Sequence, residues 1–336
     1  MHIGMLSPIS WCTPPEHYGP WEWVVSMLTE GLVESGVKVT LFATGNSHTG
    51  AKLRWVCPNP YSEDPNIDPK VWESLHISSV FEHADEFDLI HNHFDFLPLS
   101  YSKLVNTPML TTIHGFSSPK ILPVYRKYNN TTHYVSISYA DRSPDLDYLA
   151  NIYHGIPVGD YPFSNREGEY LLALGRIHGD KGVHEAIQVA RKGGMPLRIA
   201  GIIQDKAYYD HWVAPYVDGV HVVYMGIVSN EKKKELLKGA YALLHMINFD
   251  EPFGLTVIEA MATGTPVIAV RRGSMPEVMA DGETGWLVSN VEEAVEKLIS
   301  IKSISRTQCR NWVISHFSSD RMVNEYICAY KEVLSV

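Results

Sequence analysis

The sequence predicts an α/β protein built from two similar halves, each with its own parallel sheet. Three observations carry this. Short β-rich runs alternate with segments of helical spacing, the order that βα units take. The runs are apolar almost throughout, as in strands buried on both faces. The alternation breaks once, at residues 151–168, and then restarts. The 336 residues have room for two domains of about 150 each.

The elements follow in order. "HIGMLSPI" is a first strand, and a loop rich in Pro and Gly runs from Trp11 to Pro20. Trp21, Val24, Val25, Leu28 and Leu32 then fall at helical spacing, and Gly36 ends that helix. "VKVTLFA", "FDLIHNH", "PMLTTIH" and "HYVSIS" are the further strands of the first half. "NIYHGIPVGDYPFSNREG", residues 151–168, is read as a linker from its Gly, Pro and Asn. "EYLLALG", "PLRIAG", "HVVYMG", "YALLHMI", "PVIAV" and "GWLV" are the strands of the second half. A last helical segment begins near Ser318 and runs towards Leu334. The domains are therefore expected at residues 1–157 and 168–317. Ligands bind at the C-terminal strand ends of such sheets, so two facing sheets would make one cleft.

Composition narrows the function. Hydrophobic residues make up 45% and charged residues 20%, as in a packed globular protein. A net charge of −10 argues against nucleic acid and anionic membrane as partners. Up to Thr107 the basic residues are only Lys38, Lys52, Arg54, Lys70 and Lys103, and acidic residues outnumber them. Cys12, Cys57, Cys309 and Cys328 are scattered with no C-x-x-C pair, which fits reduced thiols better than zinc or disulfides. The opening "MHIGMLSPIS" is too short and polar for a signal peptide, and no apolar run suits a bilayer span. A cytoplasmic protein is expected.

Two stretches of the second half carry chemistry. "LALGRIHGDKG", Leu172 to Gly182, follows a strand and precedes a helix starting near Val183. A helix N-terminus with Arg176 and Lys181 beside it can hold a diphosphate; a surface turn with two solvated cations is the plain alternative. "NFDEPFGLTVIEAMATGTPVIA", Asn248 to Ala269, places Glu251 and Glu259 around a Phe-Gly turn that opens a helix. The amides near Gly254 to Thr256 form a second anion site, and Gly254 lets the backbone approach a ligand. Glu259 lies about one turn inside the helix; Glu251 lies in the loop before it. A solvated helix glutamate and a cap acid are the plain alternatives.

In the first half, His114 ends a strand and should face the cleft. "HNHFDF" holds His91, His93 and Asp95; two histidines two apart on a strand point the same way, as a metal pair would. Asp95 is a candidate for binding an acceptor hydroxyl. Trp21 and Trp23 flank Glu22; with Tyr18 they could wall an acceptor site, or the tryptophans could simply pack the helix on the sheet.

The order R-x-x-x-x-K-G and then E-P-F-G-L-x-x-x-E-A-M-A-x-G-x-P-V-I-A resembles the retaining family 4 glycosyltransferases of GT-B fold. The resemblance covers nearly the whole chain, including "PPEHYGPWEWVV", "TTIHG" and "YHGIP". It implies a donor domain at 168–317, an acceptor domain at 1–157, and a helix, 318–336, crossing back to the first domain. It implies that Arg176 and Lys181 neutralise the diphosphate of a nucleotide-sugar. Glu259 would accept from the ribose hydroxyls and Glu251 from those of the sugar. Phe253, Gly254, Leu255 and Thr256 would present amides to the sugar and distal phosphate. The base would sit near Gly226 and Ile227, and His114 near the reacting sugar. Gly19 would give an amide to a phosphate; Pro20 stands where the family has a second glycine and has no N–H to give. No metal and no cofactor are implied. The expected reaction moves a hexose from a UDP-sugar, or next GDP-mannose, to a soluble hydroxyl acceptor, with retention. The leaving phosphate oxygen would take the acceptor proton on the same face. A sugar-nucleotide hydrolase or epimerase, and an inactive nucleotide-sugar-binding protein, are the alternatives.

Overall fold

The computed structural model describes residues 1–16, 18–116 and 118–335. His17 of the Pro/Gly loop and Val336, the end of the returning segment, lie outside the described residues. The chain divides into two compact units, residues 1–155 with 319–336, and residues 156–318.

The first unit has a seven-stranded parallel sheet: β1 (His2–Leu6), β2 (Lys38–Phe42), β3 (Lys52–Arg54), β4 (Leu89–Asn92), β5 (Met109–Ile113), β6 (His133–Ser136) and β7 (Ala150–Asn151). Their order is β3-β2-β1-β4-β5-β6-β7, which reverses between β1 and β4 as in a doubly wound fold. Sequence reasoning missed β3 and β7, short edge strands of three and two residues. Helix α1 (Pro20–Glu34) starts with proline at its first position, where no intrahelical N–H is needed. It buries Val24, Val25, Leu28 and Leu32. Helix α2 (Pro69–Phe81) is capped by Asp68, whose carboxylate accepts from Lys70 N at 2.9 Å. Helix α3 (Leu122–Tyr128) follows β5.

The second unit repeats the design with six strands: β8 (Tyr170–Leu174), β9 (Leu197–Ala200), β10 (Val222–Tyr224), β11 (Ala240–His245), β12 (Val267–Val270) and β13 (Gly285–Val288). The order is β10-β9-β8-β11-β12-β13, reversing between β8 and β11. Helices α4 (Val183–Gly193), α5 (Asn230–Gly239), α6 (Leu255–Ala262), α7 (Val291–Ser300) and α8 (Arg306–His316) are its longer helices. Helix α9 (Ser319–Leu334) belongs to the first unit, where it packs against α1 and buries Met322, Val323, Tyr326 and Tyr330.

The segment read as a linker is not a free connection. The division falls inside it, and residues 156–168 are part of the second unit. Val158 and Tyr161 are buried there, and Arg310 Nη1 donates to the Tyr161 carbonyl at 2.8 Å. Gly and Pro set local turns; they do not prevent the apolar side chains between them from packing.

Candidate functional site

In the second unit the loops that follow β8 and β11 meet at the point where the strand order reverses. The β8 loop runs from Gly175 to Gly182 and leads into α4. Gly182 has φ of 62°, and a Cβ there would lie 1.6 Å from the Met246 carbonyl oxygen. Only glycine lets this loop close so tightly on the end of β11. The closure brings Lys181 Nζ to 2.6 and 2.9 Å from the two Glu251 carboxylate oxygens. The ammonium also stands 4.6 Å from the Phe249 ring centre.

Glu251 is mostly buried. Burial alone would raise its pKa, but the His245 ring and the Lys181 ammonium outweigh that and hold it at about 2. His245, the last residue of β11, places Nε2 3.5 Å from the carboxylate and has no hydrogen-bond partner for that nitrogen among the described residues. Below Glu251 runs the loop after β12. A Cβ on Gly273, φ 54°, would lie 2.5 Å from Glu251 N. Ser274 N donates to Glu251 O at 3.0 Å, and Ser274 Oγ to Phe253 O at 2.8 Å. The carboxylate is thus held from both backbone and side chain.

Arg176 stands apart from this pair. Its Nη2 lies 3.0 Å from Asp180 Oδ2, and its other terminal nitrogen donates to Gln204. The start of α4 is not open either. His184 N donates to Tyr208 Oη at 3.1 Å, so the phenol satisfies an amide that the sequence left for an anion. The start of α6 is a better anion site. Gly254, φ 92°, caps it, and the Leu255 and Thr256 amides come too early to have intrahelical acceptors. Phe253 is buried, packed edge-on to Phe317 at 5.7 Å, so its side chain is core.

Glu259 is not the solvated glutamate of the plain alternative. It is buried in α6, and its Oε1 accepts from Tyr161 Oη at 2.9 Å and Lys233 Nζ at 2.6 Å. Gly226, φ 73°, follows β10, and its carbonyl accepts from Gly201 N at 2.9 Å. Ile227 beside it is 56% exposed, an apolar side chain left on the surface at a strand end.

In the first unit His114 follows β5 and is buried. Its Nε2 is 2.8 Å from His93 Nδ1 and its Nδ1 3.3 Å from His154 Nε2. The Trp21 indole stacks on it at 5.2 Å with 21° between the planes. Tyr18 meets Trp11 edge-on at 5.9 Å, and Gly19, φ 142°, caps α1. Glu22, one turn in, is buried; burial raises its pKa to about 7, against the pull of its backbone contacts, among them the Trp11 amide at 3.1 Å. Asp95 has a backbone in the left-handed region, φ 74°, which is uncommon outside glycine. Asn92 Nδ2 donates to its carbonyl at 2.8 Å, and Tyr125 Oη to its carboxylate at 2.5 Å. Burial raises the Asp95 pKa to about 6 although the Tyr125 bond opposes it. Such strain held by a network marks a functional candidate.

His91 and His93 do face one way, but His93 Nε2 meets His91 Nδ1 at 3.3 Å in a hydrogen-bonded contact. No group of three His, Cys, Asp or Glu among the described residues is placed to share a metal ion. No helix among them is long and apolar enough to cross a membrane.

The second unit thus brings together Lys181, Glu251 and the start of α6, with Glu259 one helical turn on. Sequence reasoning missed His245, Ser274, Tyr161, Lys233 and Tyr208. Only Ser274 carried a signal, the Gly-Ser pair just after the strand "PVIAV".

The family profile described as "Glycosyl transferases group 1" matches residues 162–313. The profile "Glycosyltransferase Family 4" matches residues 22–144. A Bacillus anthracis N-acetyl-alpha-D-glucosaminyl L-malate synthase is 33% identical over 100 residues, 27% of this chain and 26% of that protein. An uncharacterized glycosyltransferase of Methanocaldococcus jannaschii is 21% identical over 97% of both chains. An uncharacterized 41.2 kDa protein of the Klebsiella pneumoniae cps region is 33% identical over 48% of this chain and 46% of its own. The match thus spans about half or less of two of these three relatives. Among solved structures, sucrose-phosphate synthase from Thermosynechococcus elongatus superposes with a TM-score of 0.79 at 19% identity, over 100% of this chain and 99% of that one. Anabaena HepE in complex with UDP gives 0.75 at 16% identity, over 99% and 100%.

Proposed function

Because the chain belongs to the family 4 glycosyltransferases and carries their two-sheet GT-B architecture, we propose that it transfers a hexose, with retention, from a nucleoside diphosphate sugar to a hydroxyl of a soluble small-molecule or saccharide acceptor. UDP-hexose is the favoured donor and GDP-mannose the next. The pairing of Lys181 with Glu251 at 2.6 Å, where the sheet order reverses, is the observation that carries this. It joins a cation suited to a diphosphate with a carboxylate suited to sugar hydroxyls. That HepE has been crystallised with UDP and with UDP-glucose supports the choice of base.

The second unit is the donor half. Lys181 and the first amides of α6 face the departing diphosphate, with Arg176 in reserve once it leaves Asp180. Their charge matters most as the glycosidic bond breaks and negative charge grows on the phosphate. Glu251 is held ionised, so it accepts from sugar hydroxyls rather than giving up a proton. Glu259 accepts from the ribose, Phe253 and Gly254 present backbone, and Gly226 and Ile227 border the base. The first unit is the acceptor half, through Asp95, Tyr18 and Trp21; Gly19 and His114 keep the donor-side roles that the family resemblance implies. The donor C1–O bond breaks, the acceptor oxygen bonds to C1 on the same face, and the acceptor proton passes to the leaving phosphate oxygen. No metal enters these steps. A thermal-shift panel of nucleotide-sugars tests the proposal. UDP-hexose should raise the melting temperature of the wild type and much less that of Lys181→Met. A flat response to every nucleotide-sugar would remove the basis for a donor site.

A further inference from the structure

Strand β11 is buried along its whole length, and its residues are apolar or aromatic up to the last, His245. That side chain is 6% exposed. Its Nε2 is buried, has no hydrogen-bond partner among the described residues and lies 3.5 Å from Glu251 Oε2. This is longer than a good hydrogen bond, so the carboxylate attracts the ring without binding it. Lys181 Nζ meanwhile holds both Glu251 oxygens, at 2.6 and 2.9 Å. A buried polar atom without a partner costs free energy that an apolar ring of similar size would not. The imidazole beside Glu251 therefore calls for a reason.

We propose that His245 is a positioning residue for Glu251, the second donor that holds its carboxylate when the Lys181 ammonium lets go. The ring serves this way only with a proton on Nε2. A bare Nε2 would turn its lone pair towards an ionised carboxylate, and it has no donor among the described residues to satisfy it. The proton therefore belongs on Nε2. Glu251 has room for it, because each carboxylate oxygen has two lone pairs and Lys181 engages one on each. Burial pushes the Glu251 pKa up, and the His245 ring and the Lys181 ammonium bring it down to about 2. With the ammonium gone, the imidazole is what remains of the two groups that oppose burial.

Lys181 needs such a second partner for Glu251. An ammonium that clasps both carboxylate oxygens has one N–H left, and a donor diphosphate would draw it off Glu251. A buried carboxylate left with no partner takes up a proton more readily and accepts less well from sugar hydroxyls. His245 is placed to prevent this. It ends a strand in register with Ala269 of β12, so its backbone is fixed whatever Lys181 does. The link to the diphosphate rests on the proposed function; the hold of His245 on Glu251 does not.

The test is nitrogen–proton NMR of the imidazoles in uniformly 15N-labelled full-length protein at pH 7 without nucleotide, with His245→Gln to identify the ring. Nε2 of His245 should carry a proton in the wild type. In Lys181→Met, which keeps the stem and removes the charge, that proton should move downfield as the hydrogen bond to Glu251 closes. Lys181→Met combined with Glu251→Met should not show the shift. A bare Nε2 in the wild type overturns the proposal, and so does an Nε2 proton that a folded Lys181→Met protein leaves in place. Lys181→Gln takes over if Lys181→Met does not fold. Calorimetry then compares UDP-hexose with UDP. His245→Phe should weaken UDP-hexose relative to UDP by about tenfold or more, and His245→Gln, which keeps an N–H donor, should restore most of the loss. Equal losses for both ligands, or none, overturn the proposal. A wild type that binds neither ligand removes the donor site instead, and the nucleotide-free spectra then decide His245 by themselves.

Discussion

Lys181→Met should uncouple the charge pair at the centre of the second unit. Both side chains of the pair are about 15% exposed, so solvent screens it only in part. The Glu251 pKa falls from 4.5 to about 2 on folding, pulled down by His245 and Lys181 against burial. At about 1.4 kcal/mol for each tenfold change in proton affinity, the ionised carboxylate contributes about 3 kcal/mol of stability. Because the folded value is depressed, that contribution is complete above pH 4.5 and is lost as pH falls towards 2. Lys181 supplies a share of it, so the pair should show a coupling of about 2 kcal/mol. The assay is a double-mutant cycle of Lys181→Met and Glu251→Gln, followed by urea unfolding at pH 7 and at pH 3. The coupling should shrink at pH 3, where the carboxylate begins to take up protons. A coupling below about 0.5 kcal/mol at pH 7 would refute the reasoning, since a pair so weak is what exposed side chains give. In turnover assays Lys181→Met should lower kcat by orders of magnitude; activity within about threefold of wild type would place the diphosphate elsewhere.

Other consequences can be checked separately. Glu259→Ala should raise the donor KM more than it lowers kcat, by the roughly 1.5–3 kcal/mol of a charge-assisted hydrogen bond, and an unchanged KM would remove Glu259 from the donor site. Glu259→Gln, which keeps an acceptor for the Tyr161 hydroxyl, separates that effect from lost packing. The Glu22 pKa rises from 4.5 to about 7 through burial, so its contribution is complete below pH 4.5 and lost as pH rises through 7. Glu22→Gln should therefore be more stable than wild type at pH 8, by up to about 3 kcal/mol, and equal to it near pH 4; thermal melts across that range decide. Activity should persist in EDTA, with Arg176 and Lys181 meeting the diphosphate charge; a strict Mg²⁺ or Mn²⁺ requirement restored on add-back would contradict this. Anionic liposomes at low salt should not pellet the protein; pelleting reduced by Trp21→Ala would point to a lipid acceptor.

The strands were legible because a parallel sheet buries both faces. "VKVTLFA" and "YALLHMI" are apolar runs for that reason, and both became strands. Edge strands β3 and β7 lack such a run, having one side open, and left no trace. The Lys181–Glu251 meeting was half legible. Each residue lies in the loop after a strand, which sequence can place; the contact itself depends on Gly182 closing on Met246, a feature of the tertiary backbone. Glu259 was legible as a motif position but not as a buried one. Its partner Tyr161 comes from the segment read as a linker, far away in sequence. The start of α4 was read as open because nothing local reveals that Tyr208 reaches its amide. His114 was placed at its strand end, while the histidine chain around it joins β4, β5, residue 154 and α9, and only folding assembles that.

The most direct measurement is the anomeric configuration of the product. The protein is incubated with UDP-α-hexose and a pool of soluble hydroxyl acceptors. Products are found by mass spectrometry, and the new linkage is read by NMR. An acceptor enlarged by one hexosyl group in α-linkage, with UDP released in equal amount, is the expected result. A β-linked product would contradict transfer with retention, and UDP with free hexose or an epimerised donor as the only products would contradict glycosyl transfer itself.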